Sequence, residues 1–136
     1  MRRREYIAAA SVGIAGCVGG RTVRRDPEAV KADAERVPYD TLVRNPDQYK
    51  GRAVVFDKGR VFRFLQNGED RQQAVIFTPD PDEWGANTLV GIWTGRPRLQ
   101  RRDRLRLWAI MKGLYTFETT QDVAPKLDVV DIALET

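Results

Sequence analysis

The spacing of apolar and polar residues changes character twice along this chain. From Asp26 the period is helical but the apolar stripe is thin, only Val30, Ala34 and Val37. Asp26 suits an N-cap, Pro27 the first helical position, and Glu28 the positive end of the helix dipole. This predicts a helix from 26 to about 35 or 36, ended by Pro38. Residues 39–45 (YDTLVRN) predict a second, shorter helix with Asp40 as its cap, and Pro46-Asp47 opens a turn that closes at Gly51. The pattern then becomes that of strands. Residues 52–66 (RAVVFDKGRVFRFLQ) read as one long strand, bent where Gly59 interrupts it. Asn67-Gly68 is a hairpin signal. Residues 72–78 and 88–94 predict the second and third strands. Residues 104–111 (RLRLWAIM) alternate cleanly as a fourth, broken by Lys112-Gly113, with 115–120 as a short extension. Residues 126–134 (KLDVVDIAL), after Pro125, are the fifth. The expected fold class is therefore all-β, with a short helical N-terminal segment.

Composition narrows the chemistry. The 136 residues suit one domain, with 23 Lys and Arg against 19 Asp and Glu, a net charge of +4. There is one cysteine, no histidine, and a single serine, Ser11. No disulfide can form within the chain. No histidine is available for a zinc site, a catalytic triad or a switch near neutral pH. The carboxylates fall mostly in turns and on polar faces, not as a pair in a recognisable cleft. Asp80-Pro81-Asp82-Glu83 could offer oxygens to a calcium ion but lacks the spacing of a calcium loop, and reads as a proline-stiffened acidic turn. The expectation is a protein without catalytic residues, metal or cofactor.

The first twenty residues carry an address. Arg2, Arg3 and Arg4 precede an apolar, small-residue run from 6 to 16. Eleven residues are too few to span a bilayer, which needs about 20, but they suit the core of a signal peptide. The run ends in Ile14-Ala15-Gly16-Cys17, which resembles the lipobox of prokaryotic lipoproteins. The resemblance implies cleavage before Cys17 and a diacylglycerol on its thiol. A single acyl chain binds membranes only marginally, so a two-chain anchor is the stable one. The plain alternative, a small buried thiol, does not explain why the only cysteine ends a signal-like run. Arg3-Arg4-Glu5-Tyr6-Ile7 also resembles a twin-arginine export signal, with Tyr and Ile where Phe and Leu are usual. Cleavage would leave 20 basic and 18 acidic side chains, near +2. Residues 17–25 would form a Gly-rich, then basic tether, its arginines close to anionic head groups.

Five strands, the first long and bent, resemble the OB-fold, a small five-stranded barrel. LVRNPDQYKGRAVVFDKGRVF resembles a segment of prokaryotic OB-like domains, in which a short helix ends in Arg-Asn-Pro before a Tyr-x-Gly turn and a strand with a central glycine. RDRLRLWAIMKGLYTFET followed by APKLDVVDI resembles the ending of the same domains. The resemblance covers about 39–134 and points to prokaryotic, in particular archaeal, lipoproteins carrying a small OB-fold-like domain. It implies a fold and says almost nothing of activity.

Two features are candidate binding sites. One is the arginine cluster of the connector between the third and fourth strands and the strand after it: Arg96, Arg98, Arg101, Arg102, Arg104 and Arg106, with only Asp103 among them. It would suit phosphate, on nucleic acid or on lipid head groups. The plain reading is a solvated connector kept soluble by its charge. OB-folds bind oligonucleotides on strands 2 and 3 and on the 1–2 and 4–5 loops. Here the 1–2 loop (QNGED) and the 2–3 loop (Asp80, Asp82, Glu83) are acidic, and the arginines are expected away from that groove. This charge map argues against nucleic acid. It also predicts an acidic end, including Asp70, opposite a basic one. The other feature is aromatic. Trp108 shares a strand face with Arg104, Arg106 and Ile110, opposite the core face of Leu105, Leu107, Ala109 and Met111. It is either a surface contact or the seat of the N-terminal helices. Trp84 lies in the acidic loop, and Trp93 is expected in the core.

The expected organisation is a signal peptide at 1–16, a lipid-anchored tether at 17–25 and an OB-like barrel with its helices at 26–136. The expected function is a non-catalytic binding or scaffold domain at the outer face of the cytoplasmic membrane. It would be anchored through Cys17 and partnered by an envelope protein or a small anionic ligand. The alternative is a nucleic-acid-binding OB domain.

Overall fold

The protein's computed structural model describes residues 26–78 and 87–135. The signal, Cys17, the tether and the 79–86 loop with Trp84, Asp80, Asp82 and Glu83 lie outside the described residues. Three short helices, α1 (Pro27–Asp33), α2 (Tyr39–Arg44) and α3 (Pro46–Tyr49), precede five strands. These are β1 (Ala53–Asn67), β2 (Gln72–Thr78), β3 (Asn87–Trp93), β4 (Arg104–Thr116) and β5 (Val123–Glu135). They close in the order β1-β2-β3-β5-β4, with β4 pairing back to β1. All neighbours are antiparallel except β3 and β5. This is an all-β, OB-fold-like barrel, as expected.

Length lets β1 serve two partners. Its first half pairs with β4 and its second with β2, and register shifts mark the change: one between Phe56 and Gly59, others between Val61 and Arg63 and between Phe64 and Gln66. Each bulge adds a residue to one strand and sharpens its bend. Gly59 sits at the first. A Cβ there would lie 3.0 Å from Ile76 Cγ2, so any side chain at this position must displace the Ile76 methyl.

The barrel interior is filled by alternating residues. Leu105, Leu107, Ala109 and Met111 of β4 all face inward, as their pattern predicts, against Val54, Ile76 and Leu89 from β1, β2 and β3. Trp93 is in the core, its indole N–H donating to the Pro97 carbonyl at 2.8 Å. Leu42 of α2 is fully buried in the same cluster, and Val37, Tyr39 and Tyr49 pack against it. The helices therefore complete the core instead of standing apart from it.

Four local expectations are corrected. Helix α1 stops at Asp33, because Glu35 is drawn into a parallel bridge with Val54: its N–H donates to the Ala53 carbonyl at 3.1 Å and its carbonyl accepts from Val55 at 3.0 Å. Asp40 does not cap α2; Pro38 holds the cap position, and its carbonyl accepts from Thr41 and Leu42. Lys112-Gly113 does not break β4 but forms a bulge, with Gly113 at φ +139, and the strand runs on to Thr116. Strand β5 begins at Val123, ahead of Pro125, because there it pairs with β4 only; β3 joins at Lys126. A proline's missing N–H costs no ladder bond on an open edge.

Candidate functional site

A groove of about 750 Å³ lies on the outer side of the barrel. Alternation on β2 creates its floor: Ala74 and Ile76 belong to the core, so Val75 and Phe77 face outward. On β1 the register shift between Phe56 and Gly59 decides the matter, moving the inward positions from Val54 and Phe56 to Val61. Val61 is buried and Phe64 packs on the core, three positions apart, so Phe62 is turned out between them. Its ring stacks on Phe77 with centroids 4.6 Å apart and planes 22° from parallel. The opposite wall comes from the end of β4 and the β4–β5 loop. The bulge at Lys112-Gly113 puts Leu114 against the core and Tyr115 into the groove, where Tyr115 meets Phe117 edge to face at 5.0 Å.

Tyr39 closes one side of this groove. Its hydroxyl donates to the Thr88 carbonyl at 2.9 Å, and burial pushes the phenol above its ordinary pKa. Phe62 is 47% exposed and Val123 40% exposed, and both line the groove; Leu134 is the other large apolar side chain so exposed among the described residues. An apolar patch left open beside convergent polar groups marks a surface that something else covers. Alternation on β2 finds Phe77, but Phe62 and Tyr115 each follow a register shift that resets strand parity, and Phe117 lies just past the end of β4.

The arginine cluster is arranged differently from its sequence outline. Arg98 donates to the Gly68 carbonyl at 2.6 Å, the Glu69 carbonyl at 2.9 Å and Asn67 Oδ1 at 2.7 Å. Beside it, Gln72 is 2% exposed and holds Leu99 by two bonds. Its Nε2 donates to the Leu99 carbonyl at 2.9 Å, and its Oε1 accepts from the Leu99 N–H at 2.8 Å. The connector thus lies against the β1–β2 loop and not away from it, and Asp70 belongs to the same end as the arginines. The predicted split into one acidic and one basic end is corrected to that extent. Arg106 reaches Asp57 at 3.2 Å, and Arg36 hydrogen-bonds the same carboxylate, holding its pKa below the usual range. Arg104 is also engaged. Arg96, Arg101 and Arg102 are exposed, Arg102 in a left-handed conformation at φ +74.

Trp108 is half-buried beneath α1. Lys31 of that helix lies 4.4 Å above its ring and pairs with Asp131 at 2.8 Å. The structure therefore does not gather the expected site residues into one patch. Arg98 braces a loop, Arg106 an ion pair, and Trp108 underlies a helix. Among the described residues no group of three or more acidic, Cys or His side chains is placed to hold a metal, and no helix is long and apolar enough to cross a membrane. No protein-family model, curated protein or solved structure matches the chain.

Proposed function

We propose that this protein is a non-catalytic binding domain, held by a lipid on Cys17 at the outer face of the cytoplasmic membrane, that receives its ligand or partner in the aromatic groove. The observation that carries the binding role is the open Phe62–Phe77 stack, facing Tyr115 and Phe117 across a concave surface. The absence of histidine, and of any serine past Ser11, favours binding over catalysis. The anchor rests on the sequence: three arginines, a short apolar run and Ile14-Ala15-Gly16-Cys17. Cys17→Ala should abolish acyl labelling and move the protein from the membrane to the soluble fraction. A wild type that takes no acyl label, with a variant that still pellets, refutes the anchor.

One observation favours the alternative. A stacked phenylalanine pair on β1 and β2 is the kind of platform on which single-stranded bases stack. A nucleic-acid role requires binding of an oligothymidylate at low salt that weakens steeply as salt rises. Its absence at low salt removes this reading.

A further inference from the structure

Arg98 braces the β1–β2 loop, but other arginines gather on one outer face of the barrel, and we infer that this face lies against the anionic head groups of the membrane. The inference rests on the Cys17 anchor proposed above. The turn at 100–103 is fastened to β1: the Arg102 N–H donates to the Val61 carbonyl at 2.8 Å, and the Val61 N–H donates to the Asp103 carbonyl at 2.8 Å. That sets Arg101 and Arg102 beside Arg60, whose cross-strand partner on β4 is Arg104. Two places along β4, on the same face, Arg106 shares Asp57 with Arg36. Among these six arginines stand three carboxylates, Asp57, Asp103 and Glu135, the last in register with Arg104. Asp103 also accepts from the Gln100 N–H at 2.8 Å. The face keeps a positive excess. Two features go against stability alone as its reason. Like charges directly across a sheet repel, and Arg102 carries φ +74, a conformation that suits Gly or Asn.

The chain itself brings a lipid surface to this face. Helix α1 lies on Trp108, which shares the outer face of β4 with Arg104 and Arg106. Its N-cap, Asp26, is one helical turn from the buried Val30. The tether at 17–25 therefore meets the barrel on the arginine side, and its nine residues span at most about 30 Å when extended. An anchored Cys17 holds the start of α1 within that distance of the bilayer. The form of the face fits as well. None of its arginines lines the aromatic groove, so the charge is spread over a strand surface and not sunk in that cleft. A planar array of phosphates meets such a surface at many points, each guanidinium adding its own attraction. A single small anion would need donors that converge in a pocket.

The test is co-sedimentation of the full chain carrying Cys17→Ala, so that no acyl chain contributes, with two kinds of vesicle. One is phosphatidylcholine alone, the other phosphatidylcholine and phosphatidylglycerol in equal parts. The signal segment is common to every chain compared. The mixed vesicles should bind more tightly, and the difference should shrink as salt rises. Arg60→Gln, Arg101→Gln and Arg102→Gln together should weaken binding to the mixed vesicles by about 100-fold, about fivefold for each arginine near the surface, and leave binding to phosphatidylcholine unchanged. Lys50→Gln, Lys112→Gln and Lys126→Gln remove the same charge elsewhere. Lys112 stands eight residues along β4 from Arg104, about 27 Å away and beyond the screening length, and the other two lie near it. That triple should weaken binding by less than about tenfold. All six positions are at least partly exposed, and circular dichroism should show both variants folded. Equal losses from the two triples, or binding indifferent to phosphatidylglycerol, overturn the face. So does an oligothymidylate that binds at low salt through the same three arginines while the mixed vesicles do not bind, which assigns the face to nucleic acid. Acyl labelling of wild-type Cys17 reads the anchor separately: an unlabelled chain whose vesicle binding still depends on the three arginines ends the anchor and supports the face.

Discussion

Replacing Gln72 with Glu changes one atom pair in the joint between the connector and the β1–β2 loop. The native amide uses both ends on Leu99, and Nε2 also donates to Asn67 Oδ1 at 2.9 Å. A glutamate keeps the acceptor for the Leu99 N–H but turns its second oxygen toward two other oxygens. Gln72 is 2% exposed and Leu99 4%, so water cannot readily replace the lost donor. An ionised carboxylate is then disfavoured twice, by burial and by facing acceptors, and its folded-state pKa must rise. A protonated carboxyl can donate to the Leu99 carbonyl and restores most of the native pattern. A group whose pKa is raised by folding gives stability that is present below its unfolded pKa and lost as pH rises. The unfolded value for Glu is about 4.3, so keeping the proton at pH 7 costs about 3.7 kcal/mol, and this is the ceiling on the acid-to-neutral change. The expected result is a variant within about 1 kcal/mol of wild type near pH 4 and about 2–4 kcal/mol less stable at pH 7. Urea unfolding of both proteins at each pH measures this, since the variant-minus-wild-type difference cancels the other carboxylates. A difference that stays flat between pH 4 and pH 7 refutes the assigned pairing of Gln72 with Leu99.

Two further outcomes follow from close contacts. Gly59→Val places a branched side chain where even a Cβ meets Ile76 Cγ2 at 3.0 Å; overpacking of about 1–3 kcal/mol outweighs the entropy a glycine loses, so the urea midpoint should fall by the equivalent of about 1–2 kcal/mol with m unchanged. A variant as stable as wild type would show that β1 and β2 have room to spare at the bend. Tyr39→Phe removes the bond to the Thr88 carbonyl and should cost about 1 kcal/mol at pH 7. Because burial raises the Tyr39 pKa, the tyrosine's advantage is present below about pH 10 and lost above it, so the two proteins should converge in alkali. An unchanged gap between pH 7 and pH 11 contradicts the buried position of that phenol.

The barrel was legible because its signals are local and agree with one another. The clean alternation of Leu105, Leu107, Ala109 and Met111 can bury only one face, and Asn67-Gly68 ahead of a second apolar run pairs β1 with β2. Two of the shifted boundaries involve partners distant in sequence. Glu35 leaves α1 for a bridge to Val54, and Pro125 is tolerated in β5 because β3 has not yet joined it. Neither partner can be named from the residues flanking the boundary.

The aromatic groove was less legible for a related reason. Strand parity assigns Phe62 and Phe64 to one face, and by parity alone both go inward or both outward. The bulge inside β1 separates them, sending Phe64 to the core and Phe62 to the groove. The second bulge, at Lys112-Gly113, does the same for Leu114 and Tyr115. Arginines are conspicuous in a sequence because charge does not depend on parity, yet Arg98 and Arg106 meet carbonyls and a carboxylate of their own chain. Bulges that bend a strand into a closed barrel also turn side chains outward that an unbroken strand would bury. The same irregularities that close this barrel therefore help build the aromatic walls of its groove: the shift between Phe56 and Gly59 puts Val61 inward and Phe62 outward, and the bulge at Val61–Arg63 returns Phe64 to the core.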